Sequence, residues 1–119
     1  MEQRVLIVSD SPDRRAYLEF HLNALKLQPV WYPNILAARM AARSDPFAMI
    51  LVDLCIPLEP KLALIGDCVV CQPDAMVVSI GKTGYLEKEK LLPNTSSIVR
   101  LSNIEAVRIF VKEWLGKQA

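Results

Sequence analysis

Five short runs rich in apolar residues, separated by amphipathic or polar stretches, set the pattern of this chain. The central run, residues 49–52 (Met-Ile-Leu-Val), ends at Asp53, and Pro57 follows four residues later. An unbroken apolar run of this kind is typical of a parallel strand covered by helices on both faces. Comparable runs predict four further strands at residues 4–8, 29–33, 76–80 and 97–101.

Between these runs, apolar residues recur at helical spacing. Residues 12–27 carry leucines on one stripe, after an N-capping Ser11 and a proline at the first helical position. Ser102 and Glu105 form the S-x-x-E pattern of a capping box before a last helix. Further helices are predicted at about 34–43, where Asn34 is the cap, at 61–71 after a loop over 57–61, and at 85–91.

Regular alternation of strand and helix predicts an α/β fold, a single (βα)5 doubly wound domain over residues 1–119. In the flavodoxin-like order 2-1-3-4-5, right-handed crossovers make the first and third strands neighbours in a parallel sheet. Their carboxyl ends carry Asp10 and Asp53. Ligands bind at this edge of open α/β sheets, so the two carboxylates mark the candidate site.

The composition excludes several classes of function. A net charge of +1 without a basic run does not indicate nucleic-acid binding. No apolar segment approaches the ~20 residues of a membrane span, and the first residues lack a secretory pattern, so we expect a cytoplasmic protein. Three cysteines, an odd number, suggest reduced thiols, and only four glycines argue against a glycine-rich phosphate loop.

Four blocks of this sequence resemble a known family, the receiver domains of bacterial two-component response regulators. Residues 50–57 (ILVDLCIP) are similar to that family's phosphoacceptor strand, including the proline four residues after the aspartate. Residues 5–10 resemble its first strand with an acidic pair, and residues 76–79 its fourth strand with a terminal hydroxyl residue. Residues 98–101 fall where the family has Lys-Pro, so the resemblance covers essentially the whole chain.

The resemblance implies a role for individual residues. Asp53 would accept a phosphoryl group, and Ser79 would hydrogen-bond it. Asp10, Asp53 and the backbone carbonyl of Cys55 would bind Mg²⁺, a hard cation that prefers oxygen ligands and draws charge from a phosphoryl group in transfer. Arg100 stands where the family has the lysine that contacts the phosphoryl oxygens and the aspartate. An aspartyl phosphate is a covalent intermediate of a known kind.

Some positions depart from the family pattern. Ser9 replaces the first acid of the metal-binding pair, which would weaken Mg²⁺ binding by roughly 1–3 kcal/mol. Arg100 keeps the charge of the usual lysine but is longer and planar. Leu101 replaces the following proline, and Ser97 occupies the position of the switch aromatic. The resemblance therefore implies an atypical receiver with a weak metal site.

Three functions follow from this reasoning. The first is a receiver in a phosphorelay, not itself an enzyme, phosphorylated on Asp53 by a histidine kinase or phosphotransfer protein. The second is a pseudo-receiver that binds partners or forms a homodimer, through the predicted fourth helix, fifth strand and last helix, without phosphorylation. The third is a flavodoxin-like small-molecule-binding enzyme, which carboxylates in the first β–α loop disfavour because they repel a cofactor phosphate.

Structural roles remain open beside these functional ones. Asp53 could be a carboxylate that caps its loop, and Arg100 could form an ion pair with Asp53 or Asp10 in place of bound Mg²⁺. Cys68 and Cys71 match a C-x-x-C pattern, but no second pair and no nearby histidine accompany them. Buried core thiols are therefore the simpler interpretation of these cysteines.

Overall fold

The computed structural model describes residues 3–53, 58–82, 86 and 98–118. In this part of the chain, one sheet of five parallel strands has the order β2-β1-β3-β4-β5. The predicted doubly wound α/β fold with strand order 2-1-3-4-5 is therefore confirmed. The strands are β1 (Arg4–Ser9), β2 (Gln28–Tyr32), β3 (Met49–Asp53), β4 (Met76–Ile80) and β5 (Val99–Leu101).

Helices cover both faces of this sheet. The described helices are α1 (Pro12–Ala24), α2 (Ile35–Ser44), α3 (Leu58–Cys71) and α4 (Glu105–Gln118). Helices α1 and α4 contribute to one apolar core, and α2 and α3 contribute to the other. Apart from Leu86, the helix predicted at 85–91 lies outside the described residues. No helix in the described part is long and apolar enough to span a bilayer.

Strand β3 contributes to both cores, because successive side chains of a strand point to opposite faces. Ile50 and Val52 pack in the core of α2 and α3, whereas Met49 and Leu51 pack in the core of α1 and α4. All four side chains are fully buried, and each contributes about 1.5–3 kcal/mol to stability. Asp53 follows Leu51 by two residues, so its side chain points to the same face, toward α1 and α4.

The ends of two helices differ from their predicted positions. Helix α3 begins at Leu58, three residues before its predicted start at position 61. Pro60 is tolerated because it lies in the first turn, where its missing N–H has no helical acceptor. At α4, the Oδ1 atom of Asn103 accepts a hydrogen bond from the Ala106 N–H at 2.8 Å. Asn103 therefore caps α4 in place of the predicted Ser102, because asparagine caps a helix as well as serine does.

Candidate functional site

Asp53 lies at the carboxyl end of the central strand, and only 1% of its surface is exposed. The strand register pairs Asp53 with Ser9 at the end of β1 and with Ile80 at the end of β4. The ends of the three central strands thus meet at one edge of the sheet, as the predicted topology requires. A carboxylate buried this deeply needs hydrogen-bond partners and a counter-ion.

Arg14 of α1 supplies that counter-ion. Its Nη2 atom lies 2.6 Å from Oδ1 of Asp53, and its Nε atom donates to Oδ2 at 2.8 Å. The Ser9 hydroxyl donates a third hydrogen bond to Oδ2 at 3.1 Å. This two-point contact matches the planar guanidinium to the carboxylate plane and is among the strong ion-pair geometries. Both oxygens of Asp53 are therefore engaged by cationic nitrogen.

The turn between β1 and α1 places Arg14 over the edge of the sheet. Ser11 adopts the extended conformation of an N-cap, and its hydroxyl accepts a hydrogen bond from the Arg14 N–H at 3.3 Å. The Ser11 N–H in turn donates to the Ser9 hydroxyl at 3.3 Å. Arg14 consequently lies in the first turn of α1, close to the end of the strand that neighbours β3.

Sequence reasoning missed Arg14, although the sequence held a signal. The positive end of the helix dipole disfavours a cation in the first turn. An arginine there, next to a strand end that lacks one expected acid, calls for a specific carboxylate partner. The predicted N-cap at Ser11 was correct and already placed Arg14 in that turn.

The other predicted site residues are distributed over the same edge. Asp10 follows β1 directly and is exposed. Ser79 is fully buried and pairs with Arg100 of β5, and strand alternation assigns both to the face of α2 and α3. Cys55 lies outside the described residues. The structure therefore brings Ser9 and Arg14 against Asp53. Ser79 lies one position before Ile80, the β4 residue that pairs with Asp53 in the register.

The sequence left open an ion pair of Arg100 with Asp53 or Asp10 as an alternative to bound Mg²⁺. The salt bridge of Asp53 within the described residues is formed with Arg14. Arg100 lies two strands away from β3, a separation of roughly 10 Å, on the other face of the sheet. Its described hydrogen bond runs from Nη1 to the carbonyl oxygen of Ile98 at 3.5 Å.

A buried cation, Lys61 of α3, reaches the same edge of the sheet. Its side chain is 2% exposed, and its Nζ donates to the carbonyl oxygen of Ile80 at 2.9 Å. The Gly81 N–H donates to Leu101 of β5, so the carbonyl of the same trans peptide points the other way, toward β3. The ammonium therefore lies at the end of β4, against the backbone of Ile80, the residue that pairs with Asp53 in the register.

Gly81 makes room for this ammonium. A Cβ atom at position 81 would lie 2.9 Å from Nζ of Lys61, closer than a side-chain carbon normally approaches. Lys61 was expected at the start of a helix and without a functional role. Its burial could not be foreseen, because lysine is almost never fully buried without a partner.

Comparison with known proteins places this geometry in a familiar fold. No protein-family model matches the chain. The response regulator protein PilR of Pseudomonas aeruginosa is 33% identical over 85 residues, which are 71% of this chain and 19% of PilR. The chain thus spans about a fifth of the length of that curated relative.

Solved structures agree over nearly the whole chain. A response regulator receiver domain protein (CheY-like) of Methanospirillum hungatei JF-1 superimposes with a TM-score of 0.79 at 15% identity, covering 99% of this chain and 97% of that one. The chain has the fold of a response regulator receiver domain. The response regulator TrrA of Thermotoga maritima, solved with Mg²⁺-BeF, gives a TM-score of 0.72 at 19% identity, covering 93% and 97%. The resemblance read from the four sequence blocks is confirmed.

The described residues of this receiver fold do not suit Mg²⁺. Both oxygens of Asp53 accept hydrogen bonds from Arg14. Ser9, which also donates to Asp53, is a neutral side chain. Asp10 is the one remaining acid of the implied set. No three His, Cys, Asp or Glu side chains cluster as a metal site within the part of the chain that the structure describes. Mg²⁺ usually binds one or two carboxylates and keeps several waters in near-octahedral geometry, but the oxygens of Asp53 already accept hydrogen bonds from Arg14 and Ser9.

Proposed function

We propose that the chain is a receiver domain of a phosphorelay, with Asp53 as the residue that accepts the phosphoryl group. The observation that carries this proposal is the position of Asp53, a buried carboxylate at the carboxyl end of the central strand of a receiver fold. A histidine kinase or a phosphotransfer protein is the donor that this role requires. The domain then serves as a signalling module rather than an enzyme.

Transfer of a phosphoryl group to Asp53 would require specific contributions from the surrounding side chains. A carboxylate oxygen of Asp53 attacks phosphorus, the bond from phosphorus to the donor breaks, and the donor leaves with the electron pair. Positive groups must then balance the charge on the transferred group. Arg14 is the cation paired with Asp53, and the ammonium of Lys61 lies where β4 ends. Ser79 and Arg100 are the phosphoryl contacts that the resemblance implies. Arg14 must release one oxygen of Asp53 before the attack.

The proposal does not require that a divalent metal binds beside Asp53. The TrrA structure was solved in complex with Mg²⁺-BeF. For this chain the implied ligands are Asp10, Asp53 and the carbonyl of Cys55. The ion pair of Arg14 with Asp53 opposes such a complex, so we expect at most weak dependence on Mg²⁺.

A second candidate function is a phosphorylation-independent interaction module. The same ion pair favours it, because a carboxylate held at both oxygens is a poor nucleophile while Arg14 stays in place. Such a module would bind a partner, or a second copy of itself, through the face that includes β5 and α4. The predicted helix at 85–91, also part of that face, lies outside the described residues apart from Leu86.

One experiment separates the two candidates. The protein is incubated with acetyl phosphate, with and without Mg²⁺, and its intact mass is measured. We expect a gain of one phosphoryl group that disappears in Asp53→Asn and persists in Asp74→Asn, a control that removes an exposed carboxylate. No mass gain under either condition, together with an oligomeric state unaffected by Asp53→Asn, would establish the interaction module instead.

A further inference from the structure

We infer that the guanidinium of Arg14 takes the place of a divalent cation at Asp53, so that Mg²⁺ and Arg14 exclude each other. The domain would then carry a built-in counter-ion for its acceptor carboxylate. This inference concerns the site of the proposed function, but it is decided by Mg²⁺ binding and not by phosphorylation. It therefore holds or fails independently of the acceptor role of Asp53.

The geometry of the ion pair is the first argument. Arg14 donates to both oxygens of Asp53, at 2.6 and 2.8 Å, and Ser9 donates to Oδ2 as well. A Mg²⁺ ion would have to approach one of these oxygens to about 2.1 Å. Because Asp53 is 1% exposed, its oxygens present no free side to solvent. Binding of the metal therefore requires Arg14 to leave.

The balance of charge at this edge is the second argument. Arg14 already neutralises Asp53, and the ammonium of Lys61 adds a positive charge where β4 ends. The acids of the β1–α1 turn, Asp10 and Asp13, are both exposed to water. A doubly charged ion would enter a site whose carboxylate is already compensated. Like charges in a poorly hydrated site repel strongly, so the arrangement disfavours a further cation.

The third argument is that the turn holds Arg14 in place in advance. Trp31 of β2 donates from Nε1 to the carbonyl oxygen of Ser9 at 3.1 Å. The guanidinium of the neighbouring Arg15 stacks on the Trp31 ring, 4.1 Å from its centre, and pairs with Glu19. Two adjacent arginines thus have separate partners, and only Arg14 faces Asp53. A cation that is positioned beforehand loses little conformational entropy in the pair.

The test is a Mg²⁺ titration of the folded protein. Isothermal titration calorimetry measures binding, and the melting temperature is recorded as a second readout. The wild-type protein should show no binding isotherm and no rise in melting temperature. Arg14→Met should bind Mg²⁺ roughly 10-fold or more tightly than the wild type. Arg15→Met, which removes the same charge from the next position, should behave as the wild type.

Further variants locate the effect at Asp53. Adding Asp53→Asn to Arg14→Met should abolish the gained binding, because the carboxylate ligand is lost. If Arg14→Met does not fold, Arg14→Gln tests the loss of charge and Arg14→Lys retains it, so only the former should bind Mg²⁺.

Two results would overturn the inference. One is wild-type binding of Mg²⁺ as tight as in Arg14→Met, with both lost in Asp53→Asn. The other is a folded Arg14→Met or Arg14→Gln protein that gains no affinity for Mg²⁺. If no Arg14 variant folds, the wild-type titration decides the question, since specific binding that disappears in Asp53→Asn contradicts exclusion.

Discussion

Two arginine–aspartate pairs in this protein look alike but occupy different surroundings. Arg14 joins α1 to Asp53 at the end of β3, and Arg39 joins α2 to Asp67 on α3. Both arginine side chains are 35% exposed, whereas the aspartates are 1% and 24% exposed. Water can solvate Asp67, but Asp53 depends on its partners. The burial of the anion, not that of the cation, decides whether such a pair is essential.

The largest effect should come from removing the partner of the buried anion. Arg14→Met should lower the free energy of unfolding by about 3 kcal/mol, because an uncompensated buried carboxylate remains. Asp53→Asn should cost clearly less, about 1 kcal/mol, since the arginine that it releases can turn into water. Urea unfolding measures both values. Equal losses in the two variants would contradict the assignment of the cost to the buried carboxylate.

The pH dependence of stability tests the surroundings of Asp67, through the neighbouring thiol of Cys68. Burial raises the pKa of Cys68 on α3 from 9.0 to about 12, with further contributions from the charges of Asp67 and Cys71. The folded state therefore keeps this proton to higher pH than the unfolded chain does. The resulting stabilisation is complete below pH 9.0 and is lost as the pH rises toward about 12.

In this interval the free energy of unfolding should fall by about 1.4 kcal/mol per pH unit because of Cys68. Urea unfolding at several pH values measures the slope. Cys68→Ala should lack this component, whereas Cys71→Ala, which changes an exposed thiol, should keep it. The same slope in both variants would show that Cys68 is not its source.

A smaller effect is expected at Lys61, a cation that is itself buried. Gly81→Ala should cost about 1 kcal/mol, because the new Cβ atom displaces the ammonium of Lys61 from the edge of the sheet. The cost should vanish in a Lys61→Ala background, where nothing occupies that space. A double-mutant cycle by urea unfolding gives this coupling. Purely additive losses would mean that Lys61 does not lie against Gly81 in solution.

The smallest effect is expected at the pair of Arg39 with the partly exposed Asp67. Arg39→Met should lower the free energy of unfolding by about 0.5 kcal/mol, because Asp67 is partly hydrated and Arg43 lies within 3.3 Å of it. Added salt should reduce this difference further, while the cost of Arg14→Met should change little. The measurement is urea unfolding at low and high ionic strength. A loss at Arg39 as large as that at Arg14 would remove the distinction between the pairs.

The sequence by itself determined the sheet, its order and the strand end at which Asp53 lies. Apolar runs with a single carboxylate at the end identified β3, and the alternation of strands and helices identified a doubly wound fold. Local capping was also predictable, since the Asn34 side chain accepts from the Ala37 N–H at 2.8 Å as expected. These features depend on neighbouring residues and on the period of burial, which a sequence displays directly.

Only the tertiary structure decided which cations serve the site. Arg14 and Asp53 are separated by 39 positions. Their contact requires that the Asp53 side chain faces α1 and that α1 turns Arg14 toward the end of β3. Lys61 sits at the start of a helix that was expected to begin near it, yet its burial depends on the direction of the Ile80 carbonyl and on the space left by Gly81. Periodicity predicts which side chains are buried. It does not predict which buried charges meet, because that depends on three-dimensional distances between separate elements.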